Sequence, residues 1–357
     1  MKIKLKPISE QVVVVFGASS GIGRLTALDF ARKGAKVVAA ARSESGLASL
    51  VKEITQNGGE AFYVTADAAN FEQVEAVADR TFERYGRLNT WVHVAGTIVF
   101  ATFEQTTPEE FKRVIEVNLL GQAYGAMSAL PYLRKTGGGA LIHITSVEAH
   151  RTVPFQSAYG SSKHGVTGFL EALRVELEHE GVPISVTEIL PAAINTPIWD
   201  KGRSKLGWKA RPPVPPIYHP QIVSDAILFA AENPVRDMVA GGGALGVPFL
   251  QRLAPALTDK ITGLVGFNQF DDERLPPTAP DGLFDTVPEF DTIEGRFSDE
   301  QFMSDPYVWA KTHPQKMTAI WAATGAIFGG LLAYGLIKKE NGFEPRLQSA
   351  NGNGKKL

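Results

Sequence analysis

The chain has 357 residues, is 44% hydrophobic and carries a formal net charge of −2. That length suits one large α/β domain with an appendage, or two domains, and the near-neutral balance shows no global electrostatic drive toward nucleic acid or an anionic membrane. No cysteine is present, which removes disulfides, thiolate metal sites and a cysteine nucleophile and leaves the redox compartment open.

The first ten residues, MKIKLKPISE, are basic but lack the apolar core of a secretory signal. The catalytic part is therefore expected in the cytoplasm. Residues 11–16, QVVVVF, form a β-branched run that predicts a buried strand. Gly17-Ala-Ser-Ser-Gly21-Ile-Gly23 follows, then a helix-compatible segment at 24–33. Glycine between strand and helix lets the backbone approach a phosphate, and the helix N-terminus offers free N–H groups. A tight strand-to-helix turn would use the same glycines.

The pattern repeats. Strands are predicted at 35–41, 60–66 and 88–94, and helices at 44–56 and 71–85. This alternation predicts a doubly wound parallel sheet with its ligand at the carboxyl ends of the strands. Gly17, Gly21, Gly23, Arg42, Asp67 and Gly96 fall at those ends. The second strand ends in Ala41-Arg42, without the acidic residue that would hold the ribose hydroxyls of NAD. Arginine suits a 2′-phosphate, so NADP is favoured over NAD. The alternative is that Arg42 simply opens a solvated helix.

Thr107-Pro-Glu-Glu opens the next helix with a hydroxyl cap, proline and acids, and that helix carries Asn118. A strand at 140–145 delivers Ser146. A helix from Ser157 places Tyr159 and Lys163 four residues apart, on one face. A phenol titrates near ~10, and a neighbouring ammonium lowers that value. Such a phenol can exchange a proton with a carbonyl or alcohol oxygen, and Ser146 can hydrogen-bond the same oxygen. Alone, the pair is more readily read as a half-buried tyrosine beside a solvated lysine. A sixth strand at 182–190 ends in Pro191-Ala-Ala-Ile-Asn-Thr196.

Taken in order and spacing, the glycine loop, Asn118, Ser146, Tyr159-x-x-x-Lys163 and the Pro191–Thr196 turn resemble the short-chain dehydrogenase/reductase family over about residues 8–245. The resemblance implies an α/β fold: one Rossmann-type, doubly wound parallel sheet of about seven strands. It implies hydride transfer between NAD(P) and a small-molecule carbonyl or alcohol. Tyr159 would be the general acid/base. Lys163 would lower its pKa and hold the nicotinamide ribose, Ser146 would orient the substrate oxygen, and Asn118 would support a proton relay through water. The cofactor would lie against Gly17, Ser19, Ser20, Gly21, Ile22, Gly23, Arg42, Asp67 (at the adenine), Ala95, Gly96, Pro191, Ile194 and Thr196, as well as Tyr159 and Lys163. A homo-oligomer is expected, with no nucleic-acid partner. Three residues depart from the family pattern: His93 where asparagine is usual, Ala192 for glycine, and Phe16 for threonine. His93 and the long extension motivate the alternative of a non-catalytic NADP-binding or scaffold protein; the intact Asn118, Ser146, Tyr159 and Lys163 oppose it.

Glu148, His150, Phe155 and Trp199 are the candidate substrate contacts, with Val153, Gln156, Ala192 and Ile198 beside them. Residues 197–216, with their proline cluster, are expected to form a mobile lid. A seventh strand is placed near 237–242. The extension at 246–316 begins with an apolar stretch, 247–265, read as one or two helices. Residues 268–305 are rich in acids and proline and are read as a solvated, loosely structured arm. They show no metal-ligand spacing, and no metal site is expected. Residues 317–337 form an uncharged run of 21 residues. As a helix it would span about 31 Å at ~1.5 Å per residue, the thickness of a bilayer core. It predicts a membrane anchor, which would fit a lipophilic substrate; the alternatives are a buried helix or an oligomerisation arm. Residues 338–357 are polar and expected to be disordered.

Overall fold

The structure is a computed structural model that describes residues 3–276 and 278–317. The chain divides into two units, Met1–Thr312 and His313–Leu357. Of the second, only 313–317 are described.

Seven parallel strands form the central sheet. In chain order they are β1 (Val12–Phe16), β2 (Lys36–Ala41), β3 (Glu60–Thr65), β4 (Thr90–His93), β6 (Gly139–Ile144), β7 (Ile184–Pro191) and β11 (Asp237–Ala240). The spatial order is β11-β7-β6-β4-β1-β2-β3. The order reverses beside β1, and that switch point opens a crevice at the carboxyl ends of β1 and β4. Every residue of β1 is buried, as a strand covered by helices on both faces requires. The flanking helices are α1 (Gly21–Arg32), α2 (Glu44–Gln56), α3 (Phe71–Tyr85), α4 (Pro108–Ile115), α5 (Gly121–Thr136), α6 (Ser157–His179) and α8 (Gln221–Glu232); a short α7 (Ile198–Lys201) precedes α8.

Local chemistry explains the helix starts. The Ser43 side chain accepts from Gly46 N, and Asn70 accepts from Gln73 N. Thr107 and Glu110 form a capping box around Pro108. The helix expected from Thr107 is not continuous. A π-helical turn, Glu116–Leu120, interrupts it at Asn118, a kind of bulge frequent at functional sites.

Beyond the sheet, three short ladders tie residues 203–218, where a mobile lid was expected, to the domain and to the extension. β5 (Val99–Phe100) pairs with β8 (Arg203–Ser204), β9 (Trp208–Ala210) with β12 (Phe270–Arg274), and β10 (Ile217–Tyr218) with β13 (Gln301–Phe302). The apolar stretch forms two helices, α9 (Gly246–Leu253) and α10 (Pro255–Val265), and α11 (Pro306–Thr312) ends the unit. The loosely structured arm expected at 268–305 is not what forms. Leu283 and Phe297 are buried within it. Its acids meet cations of the domain: Asp281 pairs with Arg203, Asp291 with Lys201, and Asp271 with Arg211. Acidity that reads as disorder in isolation is here matched by charge from elsewhere in the chain.

Among the described residues, no helix is long and apolar enough to cross a membrane. The predicted anchor at 317–337 lies outside them apart from Met317, and so does the tail at 338–357.

His93 sits in the core, fully buried, with neither ring nitrogen hydrogen-bonded. Burial holds its pKa well below the usual value, and His143 adds to the effect. The ring is neutral and stacks on Phe16, with centroids 4.9 Å apart. Gly125 of α5 packs directly against it: a Cβ there would press on His93 Nδ1 and stand 2.8 Å from Trp91 Nε1. Gly125→Ala should therefore destabilise the fold by roughly 1–3 kcal/mol of overpacking in urea melts. His93→Ala should relieve part of that cost in the double variant; strictly additive losses would show that the two positions do not press on each other.

Candidate active site

Ser146 lies just past the end of β6 and caps a short turn at Val147–Ala149, its Oγ accepting from Glu148 N at 3.1 Å. Tyr159 and Lys163 stand one turn apart on α6, as their spacing predicts, with Lys163 Nζ 5.5 Å from the Tyr159 ring centroid. The ammonium is buried and donates to Ile144 O at 2.9 Å. Gln122 Nε2 donates to the same carbonyl at 2.8 Å. Asn118 is fixed by Thr97: its Oδ1 accepts from Thr97 N at 2.8 Å and its Nδ2 donates to Thr97 O at 2.9 Å. A Cβ on Gly96 would stand 3.5 Å from Asn118 Oδ1 and 3.9 Å from Lys163 Nζ, so the glycine keeps the floor between them open.

The charges differ from expectation at one point. The phenol of Tyr159 is not drawn down. Burial raises its pKa above the usual value, Glu148 raises it further, and only a hydrogen bond with Ser146 opposes them. Lys163 is pushed down to about 8 by burial, with Glu188 and Glu148 pulling the other way. Glu148 is pushed up to about 8 by burial, against a backbone hydrogen bond from Val153 and the charge of Lys163. Its Oε2 is shut off from water and has no partner.

Two cavities meet at this point. The first, of about 200 Å³, runs along the carboxyl ends of β1, β2 and β4. Gly17, Ser19, Ser20, Gly21, Ile22, Arg42, Asp67, Ala95, Gly96 and Thr196 all line it. Gly17 has φ +98°, and a Cβ there would come 2.5 Å from Ala95 N, so only glycine lets β1 turn this close to β4. Gly23 lies beneath, against the Gly17 carbonyl. This cradle at the N-terminus of α1 fits the pyrophosphate of a dinucleotide.

The arm also walls this cleft, which the sequence did not reveal. Gly282, Asp285, Thr286, Val287 and Asp291 line it. Arg42, the residue expected at a 2′-phosphate, donates to the carbonyls of Gly282 at 2.7 Å and Phe284 at 3.0 Å. Gly21 N donates to Thr292 O at 2.7 Å. Lys201 bridges Ser20 Oγ at 3.0 Å and Asp291 at 3.3 Å. Asp67 forms a 2.6 Å ion pair with Arg113; burial raises its pKa, but Arg113 and Ala69 N outweigh that and leave it lowered.

The second cavity, of about 350 Å³, holds Ser146, Glu148, Tyr159 and Lys163, with Pro191, Ile194, Thr196 and Trp199. The Trp199 indole donates to Ile194 O at 3.0 Å, which fixes its ring at the rim. Two predicted contacts are elsewhere. Neither His150 nor Phe155 lines the cavity; Phe155 turns away, packed on Phe267 and Phe270 at 5.3 and 5.6 Å between centroids. In their place, Val247, Leu250, Ile261 and Val265 from α9 and α10 close the wall. No motif marks these residues; only the apolar stretch at 247–265 signals them.

Comparisons with known proteins bear on the family. The short chain dehydrogenase family model matches residues 11–207. The chain is 36% identical to the uncharacterized oxidoreductase YxnA of Bacillus subtilis, over 95% of this chain and 93% of the relative. It is 32% identical to the 3-oxoacyl-[acyl-carrier-protein] reductase FabG of Thermotoga maritima, over 62% of this chain and 91% of that protein. Among solved structures it resembles the alcohol dehydrogenase from the archaeon Thermococcus sibiricus complexed with 5-hydroxy-NADP. The TM-score is 0.56 at 29% identity, covering 64% of this chain and 94% of that one.

The buried Glu148 carboxyl has a consequence for stability. Between its ordinary value of 4.5 and about 8 the folded chain keeps a proton that the unfolded chain has released. Its contribution therefore makes stability fall as pH rises through that window. Glu148→Gln, neutral throughout, should gain melting temperature relative to the parent from acid to mildly alkaline pH. A difference that does not change with pH would show that the carboxyl is not held protonated.

Proposed function

The chain belongs to the short-chain dehydrogenase family, and from that premise we propose that it is an NADP-dependent carbonyl reductase acting on a lipophilic substrate. The observation that carries the reading is the meeting of two cavities at one proton-transfer group. Tyr159, Ser146 and Lys163 share a cavity that joins the glycine-loop cleft at Ile22, Gly96 and Thr196.

When bound, the nicotinamide supplies the hydride to the carbonyl carbon. The chain's own residues do the rest. Ser146 and Tyr159 bind the carbonyl oxygen, and Tyr159 gives it the phenolic proton as the hydride arrives. Burial and Glu148 raise the pKa of that phenol, so it enters the reaction protonated and gives up its proton only to the oxygen that hydride arrival makes strongly basic. The buried Lys163 ammonium supports the phenolate left behind and would meet the nicotinamide ribose. Asn118, held at the π-helical turn beside Gly96 and Lys163, would route the replacement proton through water. Pro191, Ile194 and Thr196 would hold the carboxamide end. The cavity walls are largely apolar, which supports a lipophilic substrate.

A 2′-phosphate at Arg42 would take donors now satisfied by Gly282 and Phe284 carbonyls. The reading of NADP over NAD rests on the phosphate being the stronger acceptor for a guanidinium.

Tyr159→Phe should lower carbonyl reduction by roughly 10²–10⁴-fold while NADPH still binds, as fluorescence titration would show. Unchanged turnover would remove Tyr159 from the chemistry, and a parent protein that binds NADPH but reduces no carbonyl would favour the non-catalytic reading. Arg42→Ala should weaken NADPH binding by about 10–100-fold and leave NADH nearly unaffected. Equal losses for the two cofactors would rule out a 2′-phosphate contact.

A further inference from the structure

The helices that wall the substrate cavity carry a second apolar face on their outer side. Phe249 and Leu253 lie one turn apart on α9, and Leu257 and Leu264 lie two turns apart on one face of α10. With Phe267 they are 50–79% exposed. Thr258, Ile261, Thr262 and Val265 turn inward to the cavity. α10 is thus lined inside by the substrate site and outside by exposed leucine. Single exposed apolar side chains are ordinary, but five gathered on two consecutive helices and their end mark an interaction surface. The flank is cationic: Arg252 and Lys260 are exposed, while the acid between them, Asp259, is paired with Arg151 at 2.6 Å.

We propose that this α9–α10 face docks on a phospholipid bilayer and that the substrate passes between these helices from the lipid into the cavity. A bilayer is the occupant favoured over a second copy of the chain by the sequence that follows. Fifty residues past Phe267 the chain enters the uncharged run 317–337, whose length matches a hydrocarbon core of about 30 Å. If that run enters a bilayer, the domain it follows would be held near lipid, where an exposed apolar helical face with a cationic flank is stabilised. The docking rests on this exposure and this run. The passage of substrate rests additionally on the carbonyl-reductase reading, and the two are tested separately.

The chain has no cysteine, so a single one reports one position. Full-length Leu264→Cys, labelled with a polarity-sensitive fluorophore, should shift its emission to the blue on mixing with phosphatidylcholine vesicles. The same label at Lys52→Cys, an exposed position on α2, should not shift. No shift at position 264, or equal shifts at both, overturns the docking. A shift that grows with protein concentration in the absence of vesicles assigns the face to a second copy and overturns it as well. For the passage, Leu257→Glu with Leu264→Glu should raise KM for a long-chain ketone held in vesicles by at least about tenfold, with kcat and KM for a short water-soluble ketone unchanged. Equal KM values in parent and variant overturn the passage. If the parent reduces neither ketone, the reductase reading fails, and the label still decides the docking.

Discussion

The site depends on where one positive charge is kept. An ammonium shut away from water is costly unless its protons find acceptors. Lys163 is 3% exposed and answers that cost with the last carbonyl of β6, that of Ile144. The bond fixes α6 against β6. Tyr159, one turn earlier, is thereby brought to the strand end that carries Ser146. Gln122 of α5 shares the carbonyl and its Oε1 pairs with His143 Nδ1 at 2.9 Å, so α5 is tied to the same point. Behind this layer Phe16, His93, His143 and Glu188 stand in register across β1, β4, β6 and β7. Glu188 in that row accepts from the Thr145 and Thr167 hydroxyls at 2.8 and 2.6 Å. A histidine in place of the family's asparagine fits this row as a flat, neutral ring.

The sheet was legible because its signals are local. β-branched runs, glycine links and capped helices recur along the first 190 residues, and the expected strands fall within a few residues of the observed ones. The catalytic candidates were legible through fixed spacings, since Tyr159 and Lys163 share a helix face by geometry alone. The environment of Tyr159 was not. The sign of its pKa shift is set by burial and by Glu148, neither of which a four-residue spacing contains. His150 and Phe155 were drawn into the site by their nearness in sequence, whereas Phe155 packs outward on Phe267 and Phe270.

The arm shows a different limit of composition. Its acids outnumber its own cations, and a segment judged by itself then looks solvated. The neutralising groups are Lys201, Arg203 and Arg211, all outside it and brought near by the fold. Leu283 gives the arm an apolar foothold beside Val99 and Val114. The contact between Arg42 and Gly282 spans 240 positions, a distance over which no periodicity or motif speaks.

The arm also changes what the smallest working piece of this protein is. The resemblance read from the sequence spans about residues 8–245, and a chain cut there would keep the whole sheet, the glycine loop and Tyr159. It would lose α9 and α10 from the substrate cavity and Asp285 to Asp291 from the cofactor cleft. The donors of Arg42 and the N–H of Gly21 would then face water in place of the Gly282 and Thr292 carbonyls. The candidate catalytic groups and part of the enclosure around them thus come from separate stretches of the chain, and assembling the closed site requires both.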